Sequence, residues 1–119
     1  MRLTTKIVTV VTVAVAALAL TGLATAKDKA PSGRELYKEY CKPCHTADSP
    51  NGEYTPMTLI QDQWTEFFTK NYERTHKNVV DPKHDNAKVL ELITPDMLKK
   101  IQKFAVDHAA DSEHPMTCG

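Results

Sequence analysis

Cys41-Lys42-Pro43-Cys44-His45 is the stretch on which the fold of this chain turns. Two thiols two residues apart can reach the two vinyl groups on one side of a porphyrin, and the imidazole directly after the second thiol is left beneath the iron. Cys-x-x-Cys-His is therefore the order required for covalent haem attachment. Two other chemistries use paired cysteines. A thioredoxin-like dithiol needs a βαβ context, and half of a zinc site needs a second ligand pair at similar spacing; neither follows in this sequence. One covalent haem c is expected, anchored by Cys41 and Cys44, with His45 as proximal iron ligand.

The first 26 residues agree with that chemistry. Arg2 and Lys6 form a charged lead, Ile7 to Leu20 an apolar run broken only by Thr9 and Thr12, and Ala24-Thr25-Ala26 a small-residue cleavage site. This is the pattern of a secretory signal peptide, and c-type haem is attached outside the cytoplasm. The apolar run is short for a membrane span, so no stable membrane insertion is expected after cleavage. Removing residues 1–26 from a chain of 119 leaves 93, the domain 27–119. A domain of that size usually needs a staple, and a covalent haem would be one. Taking Arg2 and Lys6 from 15 basic side chains leaves 13 against 15 acidic. With no basic stripe or interleaved aromatics, nucleic-acid binding is not expected. Cys118 is the odd cysteine; in an exported protein it suggests a free thiol or a disulfide-linked dimer.

Ser32-Gly33-Arg34-Glu35 has the form of a capping box, predicting a helix that carries Leu36, Tyr37 and Tyr40 into the haem motif. Thr46 to Pro56 reads as a loop. From Thr58 to about Arg74, Ile60, Trp64, Phe67, Phe68 and Tyr72 recur at helical spacing, predicting an amphipathic middle helix. Thr75 to Ile93 reads as a long connection with one short helix over 86–92. Thr94-Pro95-Asp96 opens a last helix running to about Ala110. No strand is predicted.

A capped helix ending in Cys-x-x-Cys-His, with Gly33 and Tyr37 ahead of it and Ile101 with Phe104 on a last helix, resembles the small class I c-type cytochromes. The resemblance implies an all-α, cytochrome c-like fold of three to four helices wrapped around one covalently attached haem. It also implies that the first and last helices cross at Gly33, with Tyr37 and Phe104 packed there. The methionine loop usual before the last helix of that family is missing. In its place, Trp64 on a helix with His76 just beyond is similar to the dihaem cytochrome c and sphaeroides haem protein group, where the segment after such a helix supplies the distal group. Aligning from the C-terminus favours His84 instead.

His76 is thus the first candidate for distal iron ligand, with His84 and Met57 as alternatives. Met97 falls on the apolar stripe of the last helix, His108 at its end, and His114 and Met116 on the tail. Trp64 is open to two roles, an indole donor to a haem propionate or a core residue satisfied elsewhere. The function expected is that of a periplasmic electron-transfer protein, not an enzyme, shuttling single electrons between redox partner proteins. The alternative is a haem protein that binds or senses small ligands at an open or weakly held distal position.

Overall fold

The computed structural model describes residues 29–116, so the signal-like stretch 1–26 and Cys118 lie outside the described residues. Helix α1 starts where the capping box places it. The Glu35 amide donates to Ser32 Oγ at 3.3 Å and the Ser32 amide to Glu35 Oε2 at 2.7 Å. The helix runs as an α-helical turn, Gly33–Leu36, and continues through a π-helical stretch, Tyr37–Cys41.

The middle helix α2 begins later than its apolar spacing predicts. Pro56–Thr58 forms a separate 3-10 turn, and Leu59 and Ile60 are extended between the two. α2 then runs through Gln61–Glu66, a second π-helical stretch Phe67–Asn71, and Tyr72–His76. The connection that follows is not purely irregular or helical. It contains a small antiparallel pair, β1 (Val80–Asp81) and β2 (Ala87–Lys88), registered Val80 to Lys88 and Asp81 to Ala87. The 3-10 turn Pro82–His84 joins them, and Asp85 and Asn86 adopt φ of 55° and 57°. Short polar side chains tolerate that left-handed backbone. Two-residue strands carry no alternation to read, so an all-α expectation is corrected to a mostly helical domain with, among the described residues, about four helices and one minor hairpin.

The short helix α3 is Val89–Leu92, and α4 is Pro95–Asp107, opened by Thr94, whose side chain accepts the Met97 amide at 3.3 Å. α1 and α4 cross in contact. A Cβ built on Gly33 would lie 2.1 Å from the Lys100 carbonyl oxygen, so only glycine permits this approach. Tyr37 and Phe104 pack beside the crossing, ring centroids 5.6 Å apart. The buried core lies in two clusters. Leu36, Val89, Ile93 and Ile101 form one, Trp64, Ala105 and Ala109 the other, and Phe68 packs against both. No helix among the described residues is long and apolar enough to cross a membrane.

Candidate functional site

Between α1, α2 and α4 lies an apolar cavity of about 460 Å³. Tyr37, Tyr40, Cys41, Cys44 and His45 line it from the first helix and the turn beyond. Trp64, Phe67, Phe68, Tyr72 and His76 line it from α2, and Val79, Val89, Ile93, Ile101 and Ala105 close it. Its size falls within the range of about 300–1,000 Å³ typical of small-molecule and cofactor sites. Both π-helical stretches border it, consistent with the frequent use of π-bulges at functional sites.

Cys41 and Cys44 are free thiols, not a disulfide. Burial, with a smaller contribution from Cys44, pushes the Cys41 thiol up to about 12. Burial and then the Asp81 charge raise Cys44 as well. Redox-active Cys-x-x-Cys pairs depend on a depressed thiol pKa, and here both shifts run the other way. Among the described residues, no group of three or more His, Cys, Asp or Glu is placed to hold a metal ion.

The His45 ring approaches the Gly52 carbonyl through Nδ1 at 3.1 Å, and the His76 ring approaches the Tyr72 carbonyl through Nδ1 at 2.9 Å. A carbonyl can only accept, so Nδ1 of each ring is a donor, and in the neutral tautomer this selects, Nε2 is the nitrogen with the lone pair. Backbone carbonyls that fix the tautomer this way are the usual outer partners of metal-ligating histidines. Burial, partly offset by the Tyr72 carbonyl and reinforced by His45, lowers the His76 pKa and favours the neutral imidazole a metal requires. The two ring centroids lie 6.3 Å apart with planes at 69°. Two imidazoles on opposite sides of one ion, each with a metal–nitrogen bond of about 2.0 Å, have centroids separated by about 6 Å. Gly52, at φ +81°, lies in the loop that presents its carbonyl to His45, and Tyr54 meets that ring edge-on at 5.1 Å.

The other candidates lie elsewhere. His84 has both nitrogens engaged, Nδ1 at 2.8 Å from Asp81 Oδ2 and Nε2 at 3.3 Å from Glu39 Oε1, and its ring stacks on Tyr40 at 5.0 Å. Met57 is 39 % exposed on the 3-10 turn and does not line the cavity. Met97 packs against the first core cluster. His108 Nδ1 donates to the His114 carbonyl at 2.8 Å, and the Met116 amide to the His108 carbonyl at 3.1 Å, tying the tail to the end of α4. Trp64 Nε1 donates to the Pro56 carbonyl at 2.8 Å, so the indole is satisfied within the protein.

Three features had no counterpart in the sequence reading. The Tyr37 hydroxyl donates to the Tyr54 carbonyl and holds the loop that packs Tyr54 on His45. Asp81 is 1 % exposed and joins His84, Lys83 and Glu39 in one charged cluster behind Tyr40. Tyr72 stands beside His76 with a buried, unpartnered hydroxyl. Only an Asp-Pro turn with a following histidine hinted at the second. Comparison of the chain with family models, curated proteins and solved structures returned no match.

Proposed function

We propose that this chain is an exported electron-transfer protein carrying one c-type haem, with a small cytochrome c-like fold. Cys41 and Cys44 hold the haem as thioethers, and His45 and His76 are its two iron ligands. The observation that carries this reading is the pair of imidazoles with centroids 6.3 Å apart, both with Nδ1 bound to a backbone carbonyl, in an apolar cavity also lined by the two thiols. When bound, the group supplies a one-electron iron couple. The residues of the chain hold and tune it. The Gly52 and Tyr72 carbonyls orient the imidazoles and make them stronger donors, and Trp64, Phe67, Phe68, Ile93 and Ile101 exclude water from the ring faces. Two histidine ligands favour a lower potential than a histidine–methionine pair.

The mature protein should therefore keep its colour after acid–acetone extraction, and its mass should exceed that of the polypeptide by one haem. Release of the pigment, or a bare polypeptide mass from cells competent in haem attachment, would refute the reading. Donor and acceptor are other redox proteins, and the compartment is the periplasm. A second reading, small-ligand binding at the distal position, is favoured by the placement of His76 as the last residue of α2, where a helix opens most easily.

A further inference from the structure

Among the described residues, the Tyr72 hydroxyl is the one buried side-chain polar atom without a hydrogen-bond partner. Tyr72 is 8 % exposed and lines the cavity. The other large polar aromatics buried there are satisfied, Tyr37 by the Tyr54 carbonyl and Trp64 by the Pro56 carbonyl. A buried hydroxyl without a partner is costly, so its presence here points to an acceptor that the polypeptide does not supply.

Position narrows the choice of acceptor. Tyr72 and His76 are one helical turn apart on α2, and their rings lie 4.8 Å apart, tilted by 31°. Tyr72 therefore stands on the distal side, next to the imidazole. Tyr72, His76 and Cys41 line the same cavity. The polar contacts of the His76 ring are local, to the Tyr72 carbonyl and the Thr75 hydroxyl, and unwinding the last turn of α2 releases both.

We propose that Tyr72 is the hydrogen-bond donor to a neutral diatomic ligand, of the carbon monoxide or nitric oxide class, which takes the distal position when His76 withdraws. This rests on the haem reading above. That reading fails separately, if the wild-type chain carries no covalent haem.

The test uses reduced holoprotein with carbon monoxide as probe, comparing His76→Ala with the double variant His76→Ala, Tyr72→Phe. Loss of the hydroxyl should raise the C–O stretching frequency and speed carbon monoxide release about five- to tenfold, the effect of one hydrogen bond. Equal frequencies and equal release rates in the two variants would overturn the proposal. If the His76 variants do not fold, nitric oxide release from wild type and from Tyr72→Phe, both retaining His76, decides the same point. Faster release from the phenylalanine variant supports the donor role, and equal rates refute it. A shift in midpoint potential in Tyr72→Phe with ligand frequency and release unchanged would assign the hydroxyl to a propionate and overturn the proposal.

Discussion

His76 and His84 are the same side chain on two sides of one connection, and their surroundings give them different chemistry. His76 binds a carbonyl through one nitrogen and keeps the other free, whereas His84 is held by carboxylates at both. His76→Ala should convert the proposed iron site from low to high spin, readable in the visible spectrum, while His84→Ala should leave that spectrum unchanged. Sequence could nominate both histidines but not choose between them, because the choice depends on Asp81 and Glu39, which reach His84 only through the folded hairpin. The close approach at Gly33 was an expectation carried by the resemblance to class I c-type cytochromes, and the contact with Lys100 bears it out. With the Lys100 carbonyl oxygen 2.1 Å from where its Cβ would sit, Gly33→Ala should destabilise the fold by about 1–3 kcal/mol or more, measured by denaturant unfolding. Trp64 was ambiguous until the Pro56 carbonyl was seen to accept its indole.

At the scale of elements, the capping box of α1 and the Thr94-Pro95 start of α4 appeared where local chemistry puts them, because those signals need only neighbours in sequence. The hairpin and the two π-helical stretches did not announce themselves, since tertiary packing decides them. The hairpin makes a pH-dependent contribution. Burial by itself would raise the Asp81 carboxyl, but hydrogen bonds from His84 and the Lys83 amide, with the charges of both side chains, outweigh it and hold the pKa below its ordinary 3.8. A depressed carboxyl stabilises the fold above the unfolded-state value and loses that contribution as pH falls through the folded-state value. Asp81→Asn should therefore be less stable than wild type in urea at pH 6–7, with the gap narrowing below about pH 4. A gap that widens in acid would show that the carboxylate is not held in this way.

Taken whole, the molecule has two core clusters with a void between them. The pocket of about 460 Å³ separates the two clusters, so each has few apolar partners of its own in a domain this small. Cys41→Ser with Cys44→Ser, which removes both anchors, should yield a chain without a cooperative thermal transition and with weak near-ultraviolet circular dichroism; a sharp transition near the holoprotein's would contradict this. The size of that void also bears on the order of events in the cell. On the proposed haem reading, a polypeptide that does not close on itself before its pigment arrives would present Cys41 to His45 as an open, accessible pentapeptide rather than a finished socket. Ligation would then precede collapse, and chains that miss it would be open to proteolysis, so that the proposed carrier would accumulate only in its finished form.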